Sequence, residues 1–178
     1  MYDEDAHDVG HVMNLTRLWA HLPAGNEALS QLIDTASTAA GLGIRERGVL
    51  VTAMASTLGD SYCALAWGAK LAGASDPDVA ASALTGSDES LSPSERALAR
   101  WARRITSDPS ATTPADVDEL RKAGYDDAQV LAITLYVGLR ITFSTVNDAL
   151  GARPDAELRE TAHPVVLDAV TWGRPIED

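Results

Sequence analysis

One cysteine, one aspartate and one tryptophan set the chemical question for this 178-residue chain. Asp60, Cys63 and Trp67 stand at i, i+3 and i+7, a spacing that on a helix forms a single stripe. A thiol in the first turn of a helix lies where the helix dipole favours the thiolate, the form that attacks peroxides and disulfides. Asp60 opposes this, because a second negative charge close by raises the thiol pKa. None of the four histidines (His7, His11, His21 and His163) is near in sequence to act as a base. Cys63 therefore has three readings. It is a small buried hydrophobe with its sulfur packed on Trp67, a lone thiol nucleophile, or a link through an intermolecular disulfide or a metal. These opposing effects favour the first. Trp67 is expected to pack rather than to wall a pocket for an apolar ligand, with its N–H in reach of Asp60. Asp60 itself reads as a helix N-cap in preference to a pocket carboxylate.

Arg140 is the second residue of interest, because it interrupts the most apolar run of the chain. A buried charge needs a partner. Asp148 or Glu46 would serve structurally; alternatively, Arg140 lines a cavity and holds an anionic ligand. His7 and His11, at i, i+4 among acidic residues, have the spacing of a metal-binding helix end. Their place in an acidic N-terminal stretch predicts solvated fraying instead. No metal or cofactor is expected, and the phosphate-binding G-x-x-x-x-G-K-[ST] and nucleophile-elbow G-x-S-x-G patterns are absent.

Helices must position these groups. The chain holds 30 alanines but only one phenylalanine, four tyrosines and four tryptophans, a balance that predicts an all-α domain. Ser92-Pro93-Ser94-Glu95 has the form of a capping box opening a helix that runs to Ile105. Thr113-Pro114-Ala115-Asp116 opens another, closing at Ala123-Gly124. Asp126-Asp127-Ala128-Gln129 opens a long one to about Leu150. Its apolar residues are spread around the cylinder, which predicts the central helix of the core. Earlier helices are expected over 9–22, 25–40, 44–58, 60–72 and, after a cap at Ser75-Asp76-Pro77-Asp78, to Leu84. Residues 85–91 read as a polar connector and hinge. The tail from Arg153 reads as irregular beyond a short helix around 155–161, wrapping over the surface or a partner subunit.

Net charge is −12 with 14 basic residues, so the surface repels phosphate backbones and no nucleic-acid partner is expected. No uninterrupted apolar run approaches about 18 residues, which argues against a membrane span. One cysteine and an acidic start predict a cytoplasmic protein.

Several segments together resemble the carboxymuconolactone decarboxylase and AhpD-like alkylhydroperoxidase family, in its peroxidase-related branch. They are Arg45-Glu46-Arg47-Gly48, the Asp60–Trp67 stripe, the Leu91–Ile105 helix, Gly124-Tyr125-Asp126-Asp127 and Val146-Asn147-Asp148-Ala149-Leu150-Gly151. The likeness spans about 14–155 of a single 1–178 domain, with 156–178 as tail. It implies an AhpD-like helical fold and a homo-oligomer. The family's redox members use a C-x-x-C pair with a relay glutamate and histidine. Mapped here, the relay glutamate falls on Gly48, the first cysteine on Asp60, the residue before the second cysteine on Tyr62 and the histidine on Trp67. Only Cys63 remains, and a dithiol cycle needs two sulfurs. What the resemblance implies is thus a chain without dithiol alkylhydroperoxidase activity. If it is an enzyme, it is a peroxidase-like oxidoreductase acting through Cys63 on a peroxide. If not, it holds a small apolar ligand near Asp60, Cys63, Trp67 and Arg140, or serves as a structural homo-oligomer. Trp67 is expected to fill the histidine's volume and close the site by packing.

Overall fold

The computed structural model describes residues 1–178 and contains helices and no strands. Eleven α-helices follow one another: α1 (Tyr2–Asp8), α2 (Asn14–Trp19), α3 (Pro23–Ala40), α4 (Ile44–Leu58), α5 (Ser61–Ala74), α6 (Pro77–Thr85), α7 (Pro93–Ser107), α8 (Pro114–Lys122), α9 (Asp127–Ala149), α10 (Leu158–Thr161) and α11 (Pro164–Ala169). The caps explain most boundaries. Ser92 and Glu95 form the capping box of α7, and Asp126 and Gln129 that of α9. Gly59 takes the left-handed conformation that lets α4 turn back into α5.

The core is built around α4, not α9. Eight consecutive residues of α4, Gly48 to Ala55, are buried. They are small or β-branched except for Leu50 and Met54, so α5, α6, α7 and α9 all pack on the same short helix. Helix α9, expected at the centre, lies on the outside beside α3. Leu131 is 70% and Leu135 47% exposed. Its composition and length would span a membrane, yet its inward stripe carries Arg140, Ser144 and Asn147, all buried in the bundle.

Three further expectations are corrected. The helix predicted over 9–22 is confined to Asn14–Trp19, because Gly10 takes a positive φ and Met13 is extended, and a separate helix, Tyr2–Asp8, precedes it. The N-terminal segment is docked and not frayed. Asp5 is buried and accepts from the Met13 amide at 3.0 Å, and the Asn14 amide donates to Asp155 Oδ1 at 2.7 Å. Residues 85–91 form no hinge. Asp88 takes Arg103 Nη1 at 2.9 Å, and the Ser90 amide donates to Ser82 Oγ at 3.2 Å, fastening the connector to both neighbours.

The tail packs on its own subunit. Val166 of α11 is fully buried against α5, where a Cβ at Gly68 would stand 2.7 Å from it. The sequence reading missed α11 because its N-cap is His163, an uncommon cap, which accepts from the Val165 amide.

Candidate functional site

The stripe is formed as its spacing predicts. Asp60 caps α5, its Oδ1 accepting the Cys63 amide at 3.0 Å. The other carboxylate oxygen is buried without a partner, so the expected Trp67–Asp60 hydrogen bond is not made. Cys63 is 2% exposed. Ser144 Oγ approaches its sulfur at 3.4 Å and Arg140 Nη2 at 3.7 Å, both from α9 one turn apart. Burial pushes the thiol up to about 12, Arg140 pulls it down, and Asp60 adds to the rise. A sulfur held protonated and enclosed on all sides is a packed side chain, as the residue pattern favoured.

Tyr62 does not face the same space. Its buried hydroxyl donates to Asp155 Oδ2, and burial first and Asp155 second push the phenol up. Asp155 thereby joins α5 to the start of α2. Gly48 packs against α5 at Leu71, one turn beyond Trp67. A Cβ there would stand 3.0 Å from Leu71 Cβ, so position 48 points into the seam between α4 and α5.

Trp67 and Arg140 are where the packing expectation fails. Trp67 is half-buried and borders a cavity of about 310 Å³, roofed by the α1–α2 segment and floored by α3, α5 and α9. Tyr136, Arg140 and Phe143 line the floor with it, and Arg47 lines one side. An indole of this size does not close the space; the N-terminal segment stands off far enough to leave it. The volume falls in the range of small-molecule sites, about 300–1,000 Å³.

Arg140 has neither of the structural partners expected for it. Asp148 pairs with Arg174 at 3.1 Å, and no carboxylate oxygen lies within 4.0 Å of the Arg140 guanidinium. It sits between two aromatic rings, 5.2 Å from the Trp67 centroid and 5.0 Å from that of Phe143. Its Nε–H has no acceptor, although the residue is only 8% exposed. Tyr136, one turn earlier on α9, is 1% exposed, and its hydroxyl is likewise without a partner. Burial raises that phenol to about 12, with Arg140 opposing, so it stays a donor. Tyr136, Ser144, Arg47 and Asp155 were missed by the sequence reading. The first two carried a signal: with Arg140 they mark i, i+4, i+8 as one polar line inside an apolar helix.

Comparison with solved structures gives three neighbours that superpose over most of both chains. One is an uncharacterized peroxidase-related protein from Silicibacter sp. TM1040, at TM-score 0.76 and 21% identity over 88% of this chain and 84% of that one. A second is an AhpD-core peroxidase-related protein from Ralstonia eutropha JMP134, at TM-score 0.79 and 24% identity over the same shares. The fold is the AhpD fold. A third AhpD-fold neighbour is a cysteine-to-alanine variant of the debrominase Bmp8 in complex with 2,3,4-tribromopyrrole, at TM-score 0.73 and 15% identity over 95% and 88%. No protein-family model matches the sequence, and no curated protein matches it.

Proposed function

We propose that this AhpD-fold chain works without dithiol chemistry, as a cytoplasmic protein that holds a small organic molecule in the cavity between Trp67 and Arg140. The carrying observation is the contrast between the two halves of the stripe. The thiol is sealed and held protonated, whereas Trp67, Tyr136 and Arg140 line open space and the last two each carry a buried donor without a partner. That the debrominase neighbour holds a flat heterocycle adds the point that this fold accommodates such a molecule.

The test takes wild type and Cys63→Ala through two assays. With peroxide and a dithiol reductant, neither turns over. In a tryptophan-fluorescence titration with small aromatic compounds, both bind alike. Ellman's reagent leaves native Cys63 unmodified at pH 8. Reactivity appears only in urea or at higher pH, because the unfolded thiol ionises from its ordinary value of 9.0 upward while the folded one is pushed up to about 12, so stability falls progressively across that window. A peroxidase rate that Cys63→Ala abolishes would establish the one-cysteine reading instead.

The proposal includes assembly into a homo-oligomer. Along the outer face of α9, Leu131, Leu135, Gly138, Thr142, Thr145 and Ala149 repeat at intervals of four and three, and none is charged. In a chain of net charge −12, such a face is the natural place for like copies to meet. Light scattering at micromolar concentration is expected to give a mass of two or more chains, reduced by Leu131→Glu together with Leu135→Glu. A monomer for wild type would contradict it.

A further inference from the structure

Basic residues are scarce in this protein, and most are neutralised. Eight of the fourteen lysines and arginines sit in ion pairs with carboxylates. Arg47, Lys70 and Arg140 do not, and they gather around one cavity. Arg47 and Arg140 line it, and the Lys70 ammonium lies 5.0 Å from the centroid of Trp67, the residue between them. Desolvation, then Arg140 and Arg47, hold Lys70 below the ordinary lysine range, as three like charges close together would. Glu4, Asp5 and Asp34 also line the cavity, but no carboxylate oxygen comes within 4.0 Å of the Arg47, Lys70 or Arg140 cations. A guanidinium cannot shed its proton to escape burial as a lysine can, so an uncompensated Arg140 is costly unless something else supplies the anion.

Resting on the reading that the cavity is a ligand site, we infer that its ligand is a small organic monocarboxylate with an apolar body. The carboxylate is received by Arg140 Nε–H and the Tyr136 hydroxyl. Both are more than nine-tenths buried, line the cavity and lack any partner in the protein. Arg47 contributes a second positive charge from α4. The body lies among Met13, Leu15 and Ile33, which line the rest of the wall. The carboxylates that also line the cavity do not pair with Arg140. Glu4 is tied to the Met1 ammonium at 2.7 Å, Asp5 accepts from the Met13 amide, and Asp34 is exposed to solvent. Asp60 is bound to the Cys63 amide, while Arg140 approaches the Cys63 sulfur. Tyr136 held protonated suits it to donate to a carboxylate, since a phenolate would repel one. A charge-assisted hydrogen bond in a buried site is among the stronger single contacts, which makes the charge of the ligand the main determinant of binding.

Isothermal titration calorimetry of the full chain with sodium benzoate and sodium hexanoate, against benzamide and hexanamide, separates the possibilities. The carboxylates are expected to bind at least about tenfold more tightly than their amides. Arg140→Gln is expected to weaken carboxylate binding by about tenfold to a hundredfold. Tyr136→Phe, which removes only an unpartnered hydroxyl and leaves the packing alone, is expected to weaken it by about threefold to tenfold. Equal binding of acids and amides would overturn the carboxylate assignment while leaving the cavity a ligand site. Carboxylate binding unchanged in both variants would place the anion elsewhere and overturn it too. If none of the four compounds binds, the carboxylate assignment and the ligand-site reading beneath it both fall.

Discussion

Replacing Asp155 with alanine is expected to destabilise the protein by about 3–5 kcal/mol. Asp155 is buried, and it is the acceptor for a buried hydroxyl and a half-buried amide. Its Oδ2 takes the Tyr62 hydroxyl and its Oδ1 the Asn14 amide at 2.7 Å. Alanine leaves both donors desolvated and unpaired, at about 1–3 kcal/mol each. Its removal also frees the α1–α2 segment that roofs the cavity, since Asn14 begins α2. Tyr62→Phe removes one of the two bonds and is expected to lose about 1–2 kcal/mol. Against a total stability of about 5–15 kcal/mol, the alanine variant sits near the edge of folding. Urea unfolding gives the difference, and hydrogen exchange over residues 2–19 reads the release of the roof. A loss below about 1 kcal/mol, with exchange unchanged, would show that the segment is held by other contacts.

The second large effect has the opposite sign. Arg140→Met is expected to stabilise the ligand-free protein by about 1–3 kcal/mol. Desolvation of a buried ion costs several kcal/mol, and no carboxylate within 4.0 Å returns it. What Arg140 does gain is smaller. Two ring contacts at 5.2 and 5.0 Å contribute about 0.5–2 kcal/mol each, and the thiol at 3.7 Å is a weak acceptor. Methionine keeps the unbranched stem and places a sulfur between Trp67 and Phe143, a favourable environment for it. A residue that lowers the stability of the fold and borders open space is explained by binding, where activity and stability trade against each other. A destabilisation of more than about 1 kcal/mol by denaturant unfolding would make Arg140 a structural residue.

Much of this arrangement was legible because caps are local. Ser92 with Glu95, Asp126 with Gln129, and Asp76 before Pro77 bind amides two or three residues on, so chain order alone locates those helix starts. The stripe from Asp60 to Trp67 was legible for the same reason, since i, i+3 and i+7 determine a helix face before any packing occurs. Arg140 announced itself as a charge in an apolar helix. Asp148, eight residues on in the same helix, lies about 12 Å along the axis and pairs with Arg174 of the tail, so it leaves Arg140 without a carboxylate. Asp155 gave no signal at all, being 93 residues from Tyr62 in sequence. The exchange of α4 and α9 at the centre has a similar origin. Apolar residues all around a helix mark either a core position or an outer face awaiting a neighbour, and small residues such as those of Gly48–Ala55 are what close packing on every side selects.

One thermal-unfolding comparison tests the central claim most directly: wild type and Arg140→Met, each with no ligand and with saturating benzoate. A ligand that binds only the folded state stabilises it by an amount that grows with the logarithm of its concentration over Kd, and the cation that weakens the empty protein is the one that benzoate engages. The predicted result is a reversal of order. The variant melts above wild type without benzoate, and wild type rises past it when benzoate is present. The same order in both conditions, with no benzoate-dependent rise for wild type, would contradict the reading of this cavity as a ligand site built around Arg140.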